Sequence, residues 1–339
     1  MSYYVGLDVS LQETFVSIIN KEGKIIREKA VLSTVEELSN YLLEQELSYE
    51  KIGIESGQLS IYLCKGLREK GLPVLCVDAR HMSSALSARI NKNDRNDARG
   101  IAQMLRAGLY KEVLVKSDDS CQVKVLLGSR RQLVSTRQQL CGTVRGLLKI
   151  YGIKIKSRTV YKNFIVTVEG SIKALGNNER VAIEVLLINI SLLEDSIIKL
   201  DKTLITLVKE DKDCRNLMSI PGVGIITALS YKSALDDPNR FEDSETVGAY
   251  MGLTPKQYAS GEIDRHGKIS KMGPKECRSM LYEAAQSLLV VSKKNSKLKR
   301  WGLKLAKKKG MKKAIIAVAR KLAVIMHRML IDKTEFRYQ

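Results

Sequence analysis

Seven aliphatic residues, Leu186, Ile190, Leu193, Ile197, Leu200, Leu204 and Leu207, recur at spacings of 4-3-4-3-4-3. Only an α-helix brings such residues onto one line. A line held for about three heptads demands a long helix with a partner along its length. The stretch from roughly 121 to 150 also reads as helix, and it carries Lys124, Arg130, Arg131, Arg137, Arg145 and Lys149. The partner is either this stretch, in an internal helical hairpin, or the same helix of a second chain. Residues 116–210 are therefore read as a coiled-coil helical middle.

Residues 1–115 follow a different rhythm. Short apolar runs at Tyr3–Val9, Thr14–Ile19, Ile25–Ala30, Lys51–Glu55 and Pro73–Val77 predict strands. Between them, Thr34–Glu46 and Ile61–Lys70 have helical spacing, and Asp94–Ala107 reads as a helix closed by Gly108. The order β-β-β-α-β-α-β-α is that of a ribonuclease-H-like α/β domain. The fold class is thus α/β plus α, with residues 211–339 forming a third, mainly helical domain.

Four carboxylates stand at informative places in the first domain. Asp8 ends the first strand and Glu55 the fourth, while Asp94 and Asp97, three apart, share one face of a helix. Gathered together they would repel one another. Hard oxygen-seeking cations remove that cost, so the set points to Mg2+ or Mn2+. Each residue alone has a plainer explanation: a solvated strand end, or an acid in the first turn of a helix. Asp78, after the fifth strand, is a possible further ligand.

The net charge is +20 in 339 residues. So basic a chain meets a polyanion, most simply nucleic acid, with a membrane surface as the rival. Between Glu283 and Asp332 lie fourteen basic residues and no acid: Lys293, Lys294, Lys297, Lys299, Arg300, Lys304, Lys307, Lys308, Lys309, Lys312, Lys313, Arg320, Lys321 and Arg328. An ordinary solvated face mixes both signs, so this run predicts nucleic-acid contact. Arg130, Arg131 and Arg137 join it as candidates. The six cysteines include no C-x-x-C pair and there are three histidines, which argues against structural zinc and for free thiols in a reducing cytoplasm. Neither a membrane span nor a secretory leader is expected.

Further marks follow in order along the chain. They are Gly6-Leu7-Asp8-Val9-Ser10, Ile54-Glu55-Ser56, Asp94-Arg95-Asn96-Asp97-Ala98, Ser219-Ile220-Pro221-Gly222-Val223-Gly224, Arg240-Phe241, Gly248-Ala249-Tyr250-Met251-Gly252-Leu253-Thr254-Pro255, Tyr258-Ala259-Ser260-Gly261-Glu262 and Gly267-Lys268-Ile269-Ser270-Lys271-Met272-Gly273. With these, the chain resembles the DEDD transposases of insertion sequences, the group numbered one-ten, which includes the Piv DNA invertases. Pro274 and Cys277 stand where polar or aliphatic residues are expected, an unimportant departure.

The resemblance implies a RuvC-like domain, a coiled-coil dimerisation segment and a C-terminal transposase domain. It makes Asp8, Glu55, Asp94 and Asp97 magnesium ligands and Ser260 the nucleophile of a phosphoserine intermediate. Metal site and serine would come from different subunits of a dimer, or of a tetramer in the assembled complex. A bridge-type noncoding RNA would name the element ends and the target DNA, in the nucleoid of a prokaryotic cytoplasm. The residues themselves add that Ser260 sits in a turn-rich loop, with Arg265, Lys268 and Lys271 close by to hold a phosphate. Without the resemblance, Ser260-Gly261 is simply turn chemistry. Tyr250 and Tyr258 are alternative nucleophiles or packing residues. Pro221-Gly222-Val223-Gly224 resembles a helix-hairpin-helix turn, whose backbone N–H groups at Gly222 and Gly224 approach phosphate, or it is a plain helix-helix turn. Two further readings stay open: a RuvC-like nuclease or junction resolvase using water, and a non-enzymatic nucleic-acid-binding protein.

Overall fold

The computed structural model describes residues 2–86, 93–156, 161–260 and 263–338. The chain forms two compact units, Met1–Lys116 and Ser117–Gln339.

The first unit is a five-stranded sheet covered on both faces. Its elements are β1 (Tyr3–Val9), β2 (Glu13–Ile19), β3 (Ile25–Leu32), α1 (Val35–Leu43), β4 (Tyr49–Glu55), α2 (Ser60–Glu69), β5 (Val74–Val77), α3 (Ala79–Leu86) and α4 (Asp94–Arg106). The strand order is β3-β2-β1-β4-β5. β1 runs antiparallel to β2 and parallel to β4, β2 antiparallel to β3, and β4 parallel to β5. Alternation along the strands sorts the side chains. Val5, Leu7, Val16, Ile18, Ile52 and Ile54 pack with Leu38 and Leu42 of α1 and Leu63 and Leu67 of α2. On the other face Tyr4 and Ile19 meet Ile101, Ala102 and Leu105 of α4. Local signals set the helix starts: Thr34 Oγ1 accepts from the Glu37 backbone N–H at 3.2 Å, and the Asn93 side chain accepts from that of Asn96 at 2.8 Å. The short α3 is absent from the sequence reading, because its apolar content is too small to show periodicity.

The second unit begins with two long helices, α5 (Asp118–Leu148) and α7 (Asn177–Glu210), with the shorter α6 (Tyr161–Ser171) between them. α5 and α7 pack as an antiparallel pair within one chain. Arg130 bonds Asp201, and Arg137, one heptad further up α5, bonds Glu194, one heptad back down α7. Ile190, Ile197 and Leu204 of the predicted line are buried, while Leu186, Leu193, Leu200 and Leu207 are half-buried. At the far end, Val144, Leu148, Phe164, Val168, Ile183 and Leu187 close a small three-helix core.

The rest of this unit is α8 (Lys212–Met218), α9 (Ile225–Leu235), α10 (Thr246–Tyr250), β6 (Pro255–Ser260), β7 (Ile263–Ile269), α11 (Lys275–Gln286), a π-helical turn at Ser287–Val291, α12 (Lys297–Lys309) and α13 (Met311–Asp332). Its core is built on Leu217, Leu229, Tyr231, Leu281, Leu288, Val318, Leu322 and Met326. The β6–β7 hairpin stands in place of the loop expected around Ser260. Its strands are short and polar, so no alternation of apolar residues announces them. Among the described residues no helix is long and apolar enough to cross a membrane.

Candidate active site and nucleic-acid interface

The placement of the carboxylates begins with two glycines. Gly6 of β1 and Gly53 of β4 are paired in register on the face that α4 covers. A Cβ on Gly6 would lie 1.9 Å from the Ala98 carbonyl oxygen, and one on Gly53 would lie 2.6 Å from Leu105 Cδ1. Bare backbone at both positions lets α4 lie directly on the two central strands. Its direction is fixed by the flanks. Gln103 and Arg106 reach back to Gly23 and Lys21, before β3, whereas Arg95 and Arg99 reach Glu28 farther along it. α4 therefore runs antiparallel to β1.

Asp8 and Glu55 lie one step beyond the paired Leu7 and Ile54, on the same face as the two glycines. Ala98 sits over Gly6 and Ile101 over Gly53. Asp94 and Asp97 lie one helical turn before these residues, at the end of α4 that overhangs the C-terminal ends of β1 and β4. All four predicted carboxylates thus share one face and one end of the sheet. Asp8, Glu55 and Asp97 are half-buried and Asp94 is exposed. Among the described residues no three His, Cys, Asp or Glu side chains are gathered tightly enough to hold a metal ion. The donor set, all carboxylate oxygen, suits a hard cation. Asp78 caps a helix. Its Oδ1 accepts from the backbone N–H groups of Arg80 and His81, both at 2.9 Å, at the start of α3.

Sequence reasoning missed Glu28. Arg99 Nε and Nη2 donate to its Oε1 and Oε2 at 2.6 and 2.7 Å, Arg95 Nε donates to Oε2 at 2.8 Å, and Ser17 Oγ donates to Oε1 at 3.2 Å. The side chain is 7% exposed. Hydrogen bonds from Arg99, supported by Arg95 and Ser17, outweigh burial and lower its carboxyl pKa to about 2. The available signal is Arg95 and Arg99, four apart and interleaved with Asp94 and Asp97; their acceptor lies on a distant strand.

Ser260 ends β6, exposed, opposite Ile263 of β7. Tyr258, two residues earlier and 63% exposed, pairs with the exposed Arg265, so Ser260, Tyr258 and Arg265 share one face of the hairpin. Lys268 and Lys271 are exposed further along. The base of the hairpin is clamped by backbone packing: a Cβ on Gly252 would lie 2.1 Å from the Met272 carbonyl oxygen. Gly261 and Glu262 lie outside the described residues. Tyr250 is held inside: its hydroxyl donates to the Ala234 carbonyl at 3.0 Å, and Arg240 lies 4.5 Å above its ring. Burial raises its pKa.

The basic candidates divide. Arg130, Arg131 and Arg137 are paired within the chain, with Asp201, Glu276 and Glu194. Gly222 packs closely on Ala284 and Leu288, and Gly224, exposed at the start of α9, has open space around it. Lys293, Lys294, Lys307, Lys308, Lys309, Lys312 and Lys313 are all exposed. The last five flank Gly310, where α12 turns into α13, and among the described residues none of the five is ion-paired.

The comparisons agree with this architecture. Residues 5–153 match the model of the DEDD transposases of the IS110 type, and residues 214–301 match that of the transposase IS116/IS110/IS902 family. The chain is 30% identical over 270 residues to the transposase for insertion sequence element IS1111A of Coxiella burnetii, covering 79% of this chain and 74% of that one. It is 26% identical over 290 residues to a probable family 20 transposase of Pseudomonas aeruginosa, covering 84% and 85%. A pilin gene-inverting protein of Moraxella bovis is 29% identical over 154 residues, 44% of this chain and 47% of that one. The sheet with its carboxylate end, the helical remainder and these likenesses lead to one conclusion: the chain belongs to the IS116/IS110/IS902 family of transposases, enzymes that act on DNA.

Proposed function

We propose that this transposase cuts and rejoins DNA through a phosphoserine intermediate at Ser260, with Asp8, Glu55, Asp94 and Asp97 binding Mg2+ or Mn2+. The observation that carries the reading is the seating of α4 on Gly6 and Gly53, which puts all four carboxylates at one end of the sheet. The strand order β3-β2-β1-β4-β5, with β2 antiparallel to its neighbours, supports a RuvC-like domain.

In the proposed step, Ser260 Oγ attacks the scissile phosphorus and loses its proton. The bond to the 3′-oxygen breaks, and that oxygen leaves as a hydroxyl. The new phosphoserine ester conserves the bond for rejoining, when a 3′-hydroxyl attacks it and returns the serine. Arg265, on the same face as Ser260, donates to the non-bridging phosphate oxygens. Asp8, Glu55, Asp94 and Asp97 would hold the divalent cation, which when bound would supply Lewis-acid polarisation of the phosphate and charge stabilisation at the leaving oxygen.

DNA at the element ends and target lies along the lysines around Gly310. Lys312 and Lys313 occupy the first turn of α13, where the helix dipole disfavours cations. Tolerating that repulsion makes sense beside a polyanion. Gly224 leaves room for a phosphate at the start of α9. A bridge-type noncoding RNA that names donor and target is the family expectation, and the excess positive charge supports such a second polyanion. A homo-oligomer, a dimer or the tetramer of an assembled complex, is supported by Val181, Val185, Ile188 and Leu192. They are exposed on the face of α7 turned away from α5.

A suicide substrate with a nicked element end tests the chemistry. A covalent protein-DNA adduct is expected, lost in Ser260→Ala. An adduct formed equally by that variant, or cleavage by wild type with no adduct, overturns the reading in favour of a nuclease that uses water.

A further inference from the structure

We infer that Glu28 is a positioning residue for the carboxylate site: through Arg95 and Arg99 it fixes the first two turns of α4, and with them Asp94 and Asp97. The inference rests on the proposed metal-binding role of those aspartates.

Four observations carry it. Arg95 and Arg99 lie on the same helical turns as Asp94 and Asp97, so whatever locates the guanidinium groups also locates the carboxylates. Arg99 grips Glu28 with two nearly parallel hydrogen bonds, a fork geometry that fixes direction as well as distance. Glu28 is itself immobilised, half-buried in the middle of β3 with its side chain 7% exposed, and bonded by Ser17 of β2, which faces it in register. Finally, the row Gly6, Ser17 and Glu28 is one continuous line across three strands on the α4 face. Gly6 sets how closely α4 approaches, and Glu28 sets where it stops along and around its axis.

The ion pairs have a second effect. Two guanidinium groups stand on the same helical turns as Asp94 and Asp97, which in the proposed reading attract a cation. With Glu28 as their acceptor, they are not left to compete as counter-ions for Asp94 and Asp97. Removing the Glu28 charge therefore weakens cation binding in two ways, by loosening α4 and by releasing Arg95 and Arg99.

The test uses the full-length protein and element-end DNA, with Mg2+ and Mn2+ titrated separately. Glu28→Gln is expected to raise the Mn2+ concentration for half-maximal strand cleavage by roughly ten- to a hundredfold, the usual effect of losing a partner that orients metal ligands. DNA affinity in chelator is expected to stay the same. Arg99→Gln should give the same shift, and the double variant no more than either single one. Arg99→Lys, which keeps the charge and loses the fork, should fall between. If Glu28→Gln is too unstable to assay, the Arg99→Lys and Arg99→Gln pair decides the matter by the same readout. An unchanged metal requirement in folded Glu28→Gln, or equal in Arg99→Lys and Arg99→Gln to that of wild type, overturns the inference. Asp8→Ala separates this from the reading beneath it. If Asp8→Ala keeps metal-dependent cleavage, the metal-site reading fails. If Asp8→Ala is inactive while Glu28→Gln titrates like wild type, only the positioning role fails.

Discussion

Gly6 and Ala98 meet backbone to backbone: a Cβ on Gly6 would fall 1.9 Å from the Ala98 carbonyl oxygen. No rotamer change relieves such a clash, because both groups belong to main chain inside regular elements. Gly6→Ala is therefore expected to push α4 off the sheet and destabilise the first unit by ~3 kcal/mol. Cleavage should fall much further than stability, since Asp94 and Asp97 move with the helix. Urea unfolding with a cleavage assay on the residual folded protein checks both. Wild-type cleavage in a folded Gly6→Ala protein would contradict this seating of the helix.

Ser260→Ala should lower strand cleavage on the order of a thousandfold or more and remove the covalent adduct. Tyr258→Phe should leave the adduct intact, because the tyrosine shares the face of Ser260 without supplying the attacking oxygen. Denaturing gels of trapped reactions distinguish the two.

Glu28 predicts a pH signature. Its carboxyl pKa is lowered to about 2 in the folded protein, below the ordinary value of about 4.3 for a free glutamate. A depressed acid stabilises the fold fully above its unfolded value and loses that stabilisation as pH falls toward its folded one. The stability advantage of wild type over Glu28→Gln should hold above about pH 5, fall by roughly half near pH 3 and vanish only below about pH 2, with a total on the order of 3 kcal/mol. Urea midpoints of both proteins across this range measure it, and an advantage that grows on acidification would refute the assignment.

Replacing Lys307, Lys308, Lys309, Lys312 and Lys313 by Gln should weaken DNA binding without regard to sequence. The slope of log affinity against log salt should drop by about 0.9 for each lysine that faces a phosphate. Titrations at several salt concentrations give the slope; an unchanged value would remove this surface from the DNA path.

The strands of the first unit and the length of α7 were legible because burial writes a period into the sequence. Val5 and Leu7 alternate with Tyr4 and Gly6, and the line from Leu186 to Leu207 keeps its heptad. The partner of that line was not legible from spacing alone. It is settled by Arg130 and Arg137, whose acids on α7 step back by the same heptad. The positions of the candidate carboxylates Asp8, Glu55, Asp94 and Asp97 at element ends were legible, because local pattern reveals where elements end. Glu28 could not, because its meaning depends on a pairing between residues 71 apart. The β6–β7 hairpin escaped notice for a related reason. Its stability comes from cross-strand pairing and from the backbone packing of Gly252, and neither leaves a hydrophobic trace.

The carboxylates and Ser260 hang on separate hydrophobic cores, one around Tyr4, Ile19 and Ile101 and the other around Tyr231 and Leu322. Damage to the two halves of the proposed chemistry is therefore compartmentalised. A packing defect under α4 leaves the hairpin of Ser260 intact, and a defect beneath the hairpin leaves the carboxylate end intact. Two inactive chains, one broken in each core, would then still carry between them one sound copy of each half, which is the physical precondition for intragenic complementation.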